Sequence, residues 1–350
     1  MTELLMTPGP TLVPLEIRGA MSKPVIHHRT PEFNDLYFET VDRLKRVFKT
    51  QNDTFIIAGS GTSCMDAAIC NTIKPGDKVL SLVSGKFSER FADIAKTYGA
   101  NVTIIEADWG RAFDPELVKK ALTPDTKLLT MVYNETSTGV RNNIQPISDL
   151  LKGTETLLLV DAISALGGDE FETDKWGVDL CIAGSQKCFA AATGLGFITV
   201  SQKAWKIIEN NPTPRYYLDL RKYKGAKPTP FSTPVTSIYG LSAALDLIAI
   251  EKLENRIKRH AENAKLCREG VKKLGFELLP ESEDICSNTL TAVKSDNATE
   301  IIKKILENHN IRIAGAQDHL KGKVFRIGHM GEITKEHVEK TLAALEDAIK

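Results

Sequence analysis

The residues of this chain best suited to chemistry are an aspartate and a lysine that each follow an apolar run. Asp161 comes directly after Leu158–Val160, and Lys187 follows the run that ends at Ala183. Both runs are predicted to be buried strands, and functional residues gather at the carboxyl ends of parallel strands. A lysine amine can form a Schiff base with a carbonyl, and a carboxylate can keep a heteroaromatic nitrogen protonated so that the ring accepts electrons. Pyridoxal phosphate chemistry requires this pair.

Each of the two residues also has an ordinary interpretation. Asp161 is consistent with a turn residue or a helix cap, and most lysines are solvated surface residues. Lys187, however, stands between two apolar predicted strands and is flanked by Gln186 and Cys188. Burial at that position lowers the pKa of the amine and leaves it neutral. The pair therefore favours the functional interpretation of both residues.

A glycine-rich segment, Gly59-Ser60-Gly61-Thr62, lies between a predicted strand and a predicted helix. The free N–H groups of a helix N-terminus bind phosphate, and the Thr62 hydroxyl can add a hydrogen bond. The segment is equally consistent with an ordinary turn in which Thr62 caps the helix. A dinucleotide site is disfavoured, because Cys64 stands where the third glycine of GxGxxG belongs.

Two further side chains have open interpretations. Phe87 follows the predicted strand Lys78–Val83 and is consistent with a core residue or with a ring that stacks on an aromatic cofactor. Arg326 lies in the apolar run Val324–Gly328, where an arginine needs an anionic partner. Its planar fork suits a substrate carboxylate, but an acid of this chain in an inter-domain salt bridge would serve as well.

The elements that position these residues alternate along the chain. After a helix over 33–49, we predict strands over 54–58, 78–83, 101–105, 128–132, 156–160, 179–183 and 196–200, and helices over 62–73, 87–98, 115–122 and 147–151. This alternation predicts an α/β fold whose mostly parallel central sheet is covered by helices on both faces. A helical stretch with a break covers 238–274. A smaller mixed segment follows, with strands over 289–293 and 324–327 and helices over 298–308 and 335–349.

The length of 350 residues predicts more than one domain. Residues 1–20 are rich in proline and are predicted to form an extended, irregular arm, and 212–236 form a second irregular stretch. We expect a large domain over 21–250 and a smaller C-terminal α+β domain over 251–350.

Composition argues against several classes of protein. Hydrophobic content of 42% and charged content of 26% are ordinary for a soluble globular chain. The net charge is zero and no basic stripe is visible, so we expect no nucleic-acid partner. The sequence predicts neither a secretory signal nor a membrane span. The six cysteines lack CxxC spacing, which indicates a reducing cytoplasm and neither disulfides nor a metal site.

Taken together, these motifs resemble the class V aminotransferases of the fold type I pyridoxal phosphate superfamily. The resemblance is greatest to the serine–pyruvate/alanine–glyoxylate aminotransferase group, and it runs over nearly the whole chain, from Pro8–Thr11 to Arg326–Gly328. Its least generic parts are Gly59–Thr62, Glu135–Gly139, Val160–Gly168 and Gly184–Lys187.

The resemblance implies a role for each matched position. Lys187 would hold pyridoxal 5′-phosphate and carry a proton to and from the substrate Cα, Asp161 would bind the pyridine nitrogen, and Phe87 would stack on the ring. The other implied cofactor contacts are Gly61, Thr62, Thr136, Gln186 and, from the partner subunit, Ser232. The implied substrate contacts are Arg326 and Gly9.

A homodimer with shared active sites is also implied. The loop that would reach the partner's cofactor often carries tyrosine and threonine in this family. This chain has Phe231 and Ser232 there instead, so we expect fewer phosphate contacts across the dimer.

The implied reaction moves an amino group between alanine, serine or aspartate and glyoxylate, pyruvate or 2-oxoglutarate by a ping-pong mechanism. A cysteine desulfurase or lyase of the same fold is an alternative, but Cys286 has no glycine-rich loop and Phe87 fills the stacking position. A nicotinamide-dependent dehydrogenase would leave Lys187 and Asp161 without a role. The cluster His27–Arg29 is consistent with a substrate contact in the partner subunit or with a solvated loop.

Overall fold

The computed structural model describes residues 3–225 and 228–350. The helices are α1 Leu15–Met21, α2 Pro31–Phe48, α3 Gly61–Thr72, α4 Lys86–Thr97, α5 Pro115–Ala121, α6 Gln145–Asp149, α7 Gln202–Ile208, α8 Val235–Glu251, α9 Leu253–Lys273, α10 Ala298–His309 and α11 Lys335–Ala348. The strands are β1 Leu4–Leu5, β2 Asp53–Ala58, β3 Lys78–Val83, β4 Asn101–Glu106, β5 Thr126–Val132, β6 Asn134–Glu135, β7 Val140–Arg141, β8 Leu157–Asp161, β9 Leu180–Gly184, β10 Leu195–Val200, β11 Glu277–Leu278, β12 Leu290–Lys294, β13 Ile311–Arg312, β14 Ala314–Gly315 and β15 Val324–Gly328.

The large sheet has the strand order β2-β10-β9-β8-β5-β3-β4 within the described residues. Strand β10 runs antiparallel to both of its neighbours, and every other pair in this sheet is parallel. Six strands therefore point the same way, and their carboxyl ends meet at one edge. The predicted mostly parallel α/β sheet is confirmed.

The central strands are apolar on both faces because helices cover both faces. In β8, Leu158 and Val160 contribute to the core on one side of the sheet, and Leu157 and Leu159 to the core on the other. This alternation follows from the two-residue period of a strand. Asp161 is thus an acid at the end of a strand that is otherwise fully apolar.

The second sheet is antiparallel, in the order β11-β12-β15-β14 among the described residues. Helices α9 and α10 pack on it, and α11 packs on these two helices, around a separate apolar core that includes Phe325 and Ile327. The predicted break in the long helical stretch lies at Lys252, whose φ of +68° ends α8 and allows α9 to start in a new direction.

The prediction of a wholly irregular N-terminal arm is wrong at both ends of the arm. Strand β1 pairs in parallel with β13, and Leu15–Met21 form helix α1 after Pro14. Helix α1 packs on α8, where Gly240 allows close approach: a Cβ there would lie 2.8 Å from Cγ of Met21. The helix is only two turns long and depends on this packing, which the sequence pattern does not reveal.

Among the residues that the structure describes, no helix combines the length and the apolar content that a membrane crossing needs.

Candidate active site

The carboxyl edge of the large sheet brings together residues that are far apart in sequence. Asp161 is the last residue of β8, and Lys187 lies just beyond the end of β9. Gly61 opens α3 after β2, and Phe87 lies in the first turn of α4 after β3. Because β2, β3, β8 and β9 point the same way, these loops lie side by side at one edge.

A cavity of about 340 Å³ opens at this edge. Five of the predicted site residues line it, namely Gly9, Phe87, Thr136, Lys187 and Arg326. The N-terminal arm closes one side through Leu5, Thr7, Pro8 and Pro10, and Arg312, Ala314 and Gln317 complete the lining. The arm therefore forms a wall of the site.

Lys187 is held against the N-terminal arm. Its Nζ donates a hydrogen bond of 2.5 Å to the carbonyl of Pro8. Gly9 follows with a φ of +105°, and a Cβ at this position would lie 2.6 Å from Nζ, so only glycine leaves room for the lysine. Burial lowers the pKa of Lys187 to about 8, although the carboxylate of Asp161 opposes the shift. A neutral amine is therefore accessible near neutral pH.

Asp161 is 3% exposed. Its Oδ1 accepts a hydrogen bond of 2.7 Å from the N–H of Ile163, whereas Oδ2 accepts none from the described residues. Burial raises the pKa of this carboxyl to about 7, and the Ile163 N–H and the Lys187 ammonium only partly offset it. A buried acid with an unfilled oxygen fits a protonated heteroaromatic nitrogen, which would supply both a hydrogen bond and a positive charge.

The N-terminus of α3 is suited to an anion. Ser60 is the residue that precedes the helix, and no side chain caps it. The alternative in which Thr62 is the cap is therefore wrong. The Thr62 hydroxyl instead accepts a hydrogen bond of 2.9 Å from Nη1 of Arg90. Nearby, the buried Oε1 of Gln186 has no partner among the described residues, so its amide is free to bind another group.

Arg90 was not predicted from the sequence. Its guanidinium lies 5.1 Å from the centre of the Phe87 ring. Its positive charge adds to the lowering of the Lys187 pKa by burial and opposes the rise of the Asp161 pKa. The i,i+3 spacing of Phe87 and Arg90 on α4 would have placed them on one helix face. Arg90 adds positive charge beside the N-terminus of α3.

Glu135 is a second residue without a predicted role. Its fully buried carboxylate accepts hydrogen bonds from the backbone N–H groups of Phe87 and Ser88, at 3.3 and 3.0 Å, and from the hydroxyls of Ser88 and Ser137, at 2.9 and 2.6 Å. An acid at a helix N-terminus is stabilised by the helix dipole. Glu135 therefore anchors the first turn of α4 and with it the ring of Phe87.

Arg326 carries a charge that the described residues leave without a counter-ion. Its guanidinium donates to the carbonyl of Gly315, at 2.6 and 3.1 Å, and to that of Thr136, at 2.9 Å. No carboxylate of the described chain forms an ion pair with it, so the salt-bridge alternative is wrong. Burial lowers the pKa of Arg326, and the negative charge of Glu135 opposes this shift. The guanidinium is thus positioned for an anion in the cavity.

The hydroxyl of Thr136 lies in a small polar network. It donates a hydrogen bond of 2.8 Å to Oγ of Ser164, which in turn donates to the carbonyl of Asn134 at 3.0 Å. Lone pairs of the Thr136 oxygen remain available at the cavity wall.

Ser232 is the predicted site residue that the single chain does not bring to the others. It is exposed, and no hydrogen bond joins it to the other predicted residues within the described chain. Arg29 is tied to the same loop, since its guanidinium donates to the carbonyls of Thr229 and Phe231. The cluster His27–Arg29 and the Ser232 loop therefore form one exposed region.

Comparisons with known proteins identify the family to which this fold belongs. The aminotransferase class-V family matches residues 16–334. An uncharacterised aminotransferase of Methanocaldococcus jannaschii is 48% identical over 99% of this chain and 93% of its own length. The serine–glyoxylate aminotransferase of Arabidopsis thaliana is 34% identical, over 99% of this chain and 90% of that protein.

A solved structure agrees over the full length. The crystal structure of the alanine–glyoxylate aminotransferase from Nostoc sp. superposes with a TM-score of 0.96 at 34% identity, covering 100% of this chain and 96% of that chain. This chain belongs to the class V aminotransferase family and has the fold type I architecture.

The family membership decides between the predicted reactions. Transamination is confirmed over the desulfurase and dehydrogenase alternatives. The structure adds a physical reason against the desulfurase, because Cys286 is buried and its burial raises the pKa of the thiol to about 11.

Proposed function

We propose that this aminotransferase uses pyridoxal 5′-phosphate and transfers an amino group between a small amino acid and a 2-oxo acid. Alanine, serine and aspartate are the proposed donors, and glyoxylate, pyruvate and 2-oxoglutarate the proposed acceptors. The observation that carries the proposal is the pair of Lys187 and Asp161: an amine with a pKa lowered to about 8, close to a buried acid with an unfilled oxygen.

The residues at the sheet edge fit this cofactor. Lys187 would hold it covalently, Asp161 would bind its ring nitrogen and Phe87 would lie against the ring. Its phosphate would be held at the N-terminus of α3. The residues proposed for that contact are Gly61, Thr62, Arg90, Gln186 and, from the partner subunit, Ser232. Thr136, whose hydroxyl proton is donated to Ser164, would accept a hydrogen bond from a ring substituent. When bound, pyridoxal phosphate supplies an electron sink for the electron pair left when the substrate loses its Cα proton.

The side chains of this chain then perform three tasks. Arg326 binds the substrate α-carboxylate through the guanidinium N–H groups that its backbone contacts leave free. Lys187, whose amine is about half neutral at its pKa of about 8, would take the proton from Cα and deliver it to C4′ of the cofactor. Asp161 keeps a proton on the ring nitrogen throughout, because its buried carboxylate is stabilised by that charge. Gly9 and Pro8 in the arm keep the lysine amine inside the cavity and exclude water from one side.

The active form proposed here is a homodimer. Tyr216 is 73% exposed and lies beside Tyr217 and Phe231, whose rings stack with centroids 5.1 Å apart. An exposed aromatic patch of this kind favours a protein interface. A two-fold axis through it would bury the same patch on both subunits and carry Ser232 toward the partner's site.

The domain division and cellular location are part of the same proposal. We assign 1–20 to an arm, 21–250 to a large domain and 251–350 to a small one; the break at Lys252 and the separate apolar cores support this division. A cytoplasmic location is supported by the six cysteines, which are all free, buried thiols.

Borohydride reduction of the protein loaded with pyridoxal phosphate tests the proposal. We expect the reduced cofactor on a single peptide that contains Lys187, and a visible absorbance band that shifts when alanine is added. Lys187→Ala should abolish turnover, keep its fold by circular dichroism, and leave no cofactor attached after reduction. The exposed Lys206→Ala is the matched control and should behave as the parent. Labelling of any other peptide would remove Lys187 from this role.

A further inference from the structure

The cavity that holds Lys187 and Arg326 has a second arginine in its lining. Arg312 lines it together with Gln317, and no aspartate or glutamate of the described residues is part of the wall. The lining therefore presents two guanidinium groups, those of Arg326 and Arg312, beside the Lys187 amine and without a carboxylate of the described residues. The α-carboxylate of an amino acid would pair with Arg326 and would leave Arg312 without a substrate partner.

Strand geometry brings the two arginines near each other. Ala314 pairs directly with Arg326 across β14 and β15. Arg312 lies two residues before Ala314, and residues with this spacing share a face of an extended chain. Both Arg312 and Ala314 line the cavity. A substrate with two carboxylates would therefore meet both guanidinium groups in one cavity.

Arg312 already has one anionic partner. Its Nε and Nη2 donate to the two carboxylate oxygens of Glu3, which lies next to β1. Its Nη1 donates to no group of the described chain, and the side chain is about half exposed, at 47%. The guanidinium can therefore bind a second carboxylate, that of a ligand in the cavity. Glu3 competes with this ligand carboxylate for the same positive charge.

We propose that Arg312 selects amino acids and 2-oxo acids with a second carboxylate, such as aspartate and 2-oxoglutarate, and that Glu3 weakens this selection. The inference rests on the proposed function, since it names the substrate class of the same site. Binding of the distal carboxylate by a planar guanidinium gives geometry as well as charge. Arg312 is thus a specificity-determining residue at the mouth of the cavity.

Two variants of one ion pair test this inference. Arg312→Gln should lower the ratio of kcat/KM for aspartate to that for alanine by about tenfold, since one charge-assisted contact is lost. Glu3→Gln should raise the same ratio, because the competing carboxylate is gone. Both variants break the same contact between the arm and β13, so a purely structural role would move both ratios in the same direction or neither. Arg111→Gln, which breaks the exposed Arg111–Glu281 pair outside the cavity, is the matched control.

Inhibitor binding gives a readout that needs no turnover. Calorimetry on the protein loaded with cofactor should show that Arg312→Gln weakens succinate about tenfold relative to propionate, and that Glu3→Gln strengthens it. Ratios that stay within about twofold in both variants, or that shift together, overturn the inference. If alanine and pyruvate react while these ratios do not move, the proposed function stands and this inference fails. If succinate binding shifts as expected but no amino acid and 2-oxo acid react, only the proposed function fails.

Discussion

Asp161 shows at the scale of one residue how a group proposed to act in catalysis can oppose folding. Its carboxyl is buried at the end of an apolar strand, and burial raises its pKa to about 7 from an ordinary value of 3.8. The native state without cofactor therefore holds a proton that the unfolded chain releases at lower pH. By linkage, this group makes the cofactor-free protein less stable as pH rises from about 4 to above 7. The shift corresponds to about 4 kcal/mol at most.

Asp161→Asn should separate the effect of this residue on stability from its proposed role in catalysis. Without cofactor, we expect the variant to gain stability over the parent at pH 8 and to lose that advantage near pH 4, where both side chains are neutral. With cofactor, kcat should fall by several orders of magnitude, because the ring nitrogen loses the charge that keeps it protonated; each factor of ten is about 1.4 kcal/mol of barrier. Urea unfolding at the two pH values and steady-state kinetics measure both effects. A variant with near-native kcat would place Asp161 outside the site.

Helix α4 shows how an element positions a site residue. Its first turn is held by the carboxylate of Glu135, and this contact places the ring of Phe87 in the cavity wall and Arg90 beside Thr62. An uncapped helix N-terminus leaves several N–H groups without partners, so a buried acid here stabilises both the helix and its orientation.

Glu135→Gln should loosen this turn. The amide keeps one oxygen, but its NH₂ group faces the N–H and hydroxyl donors of Ser88, so we expect a loss of about 2 kcal/mol in the free energy of unfolding. Cofactor affinity should fall as well, because Phe87 and Arg90 move with the helix. Denaturant unfolding and a cofactor titration measure the two losses. Glu116→Gln, in the exposed first turn of α5, is the control and should change neither. Parent-like values for Glu135→Gln would show that α4 does not depend on this cap.

At the scale of the whole molecule, the proposed dimer predicts that each active site takes residues from both subunits. Ser232→Ala should weaken cofactor binding, and Lys187→Ala should abolish turnover. In a mixed dimer of these two variants, one site takes Lys187 from the Ser232→Ala subunit and Ser232 from the Lys187→Ala subunit. This site is therefore intact. We expect mixing to restore activity with cofactor affinity like that of the parent, at up to half of the parent's kcat per dimer.

The same mixing experiment has a clear opposite outcome. If each site uses its own Ser232, the mixed dimer would keep the weakened cofactor affinity of Ser232→Ala. Sedimentation of the parent protein should show a dimer throughout, and a fully active monomer would contradict the assembly.

The features that the sequence determines by itself arise from local patterns of apolar and polar residues. Apolar runs with a two-residue period indicate buried strands, and polar residues placed just after such runs must lie at the sheet edge; this is why Asp161 and Lys187 were recognised as a pair. The parallel sheet, a break within the helical stretch 238–274 and two strands of the smaller sheet follow from the same periodicities, whereas the position of the break at Lys252 comes from the structure.

Only the tertiary structure decided which partners the side chains have. Among the described residues, Arg326 donates to backbone carbonyls and forms no ion pair, Arg90 reaches Thr62, and Arg312 joins the cavity wall. The sequence does not predict helix α1 for a similar reason, since a helix of two turns is stable only when packed against α8. Each of these contacts joins residues brought together by packing. Local sequence sets the period and the ends of an element, but the free energy of a charged side chain depends on burial and on neighbours that only the folded chain supplies.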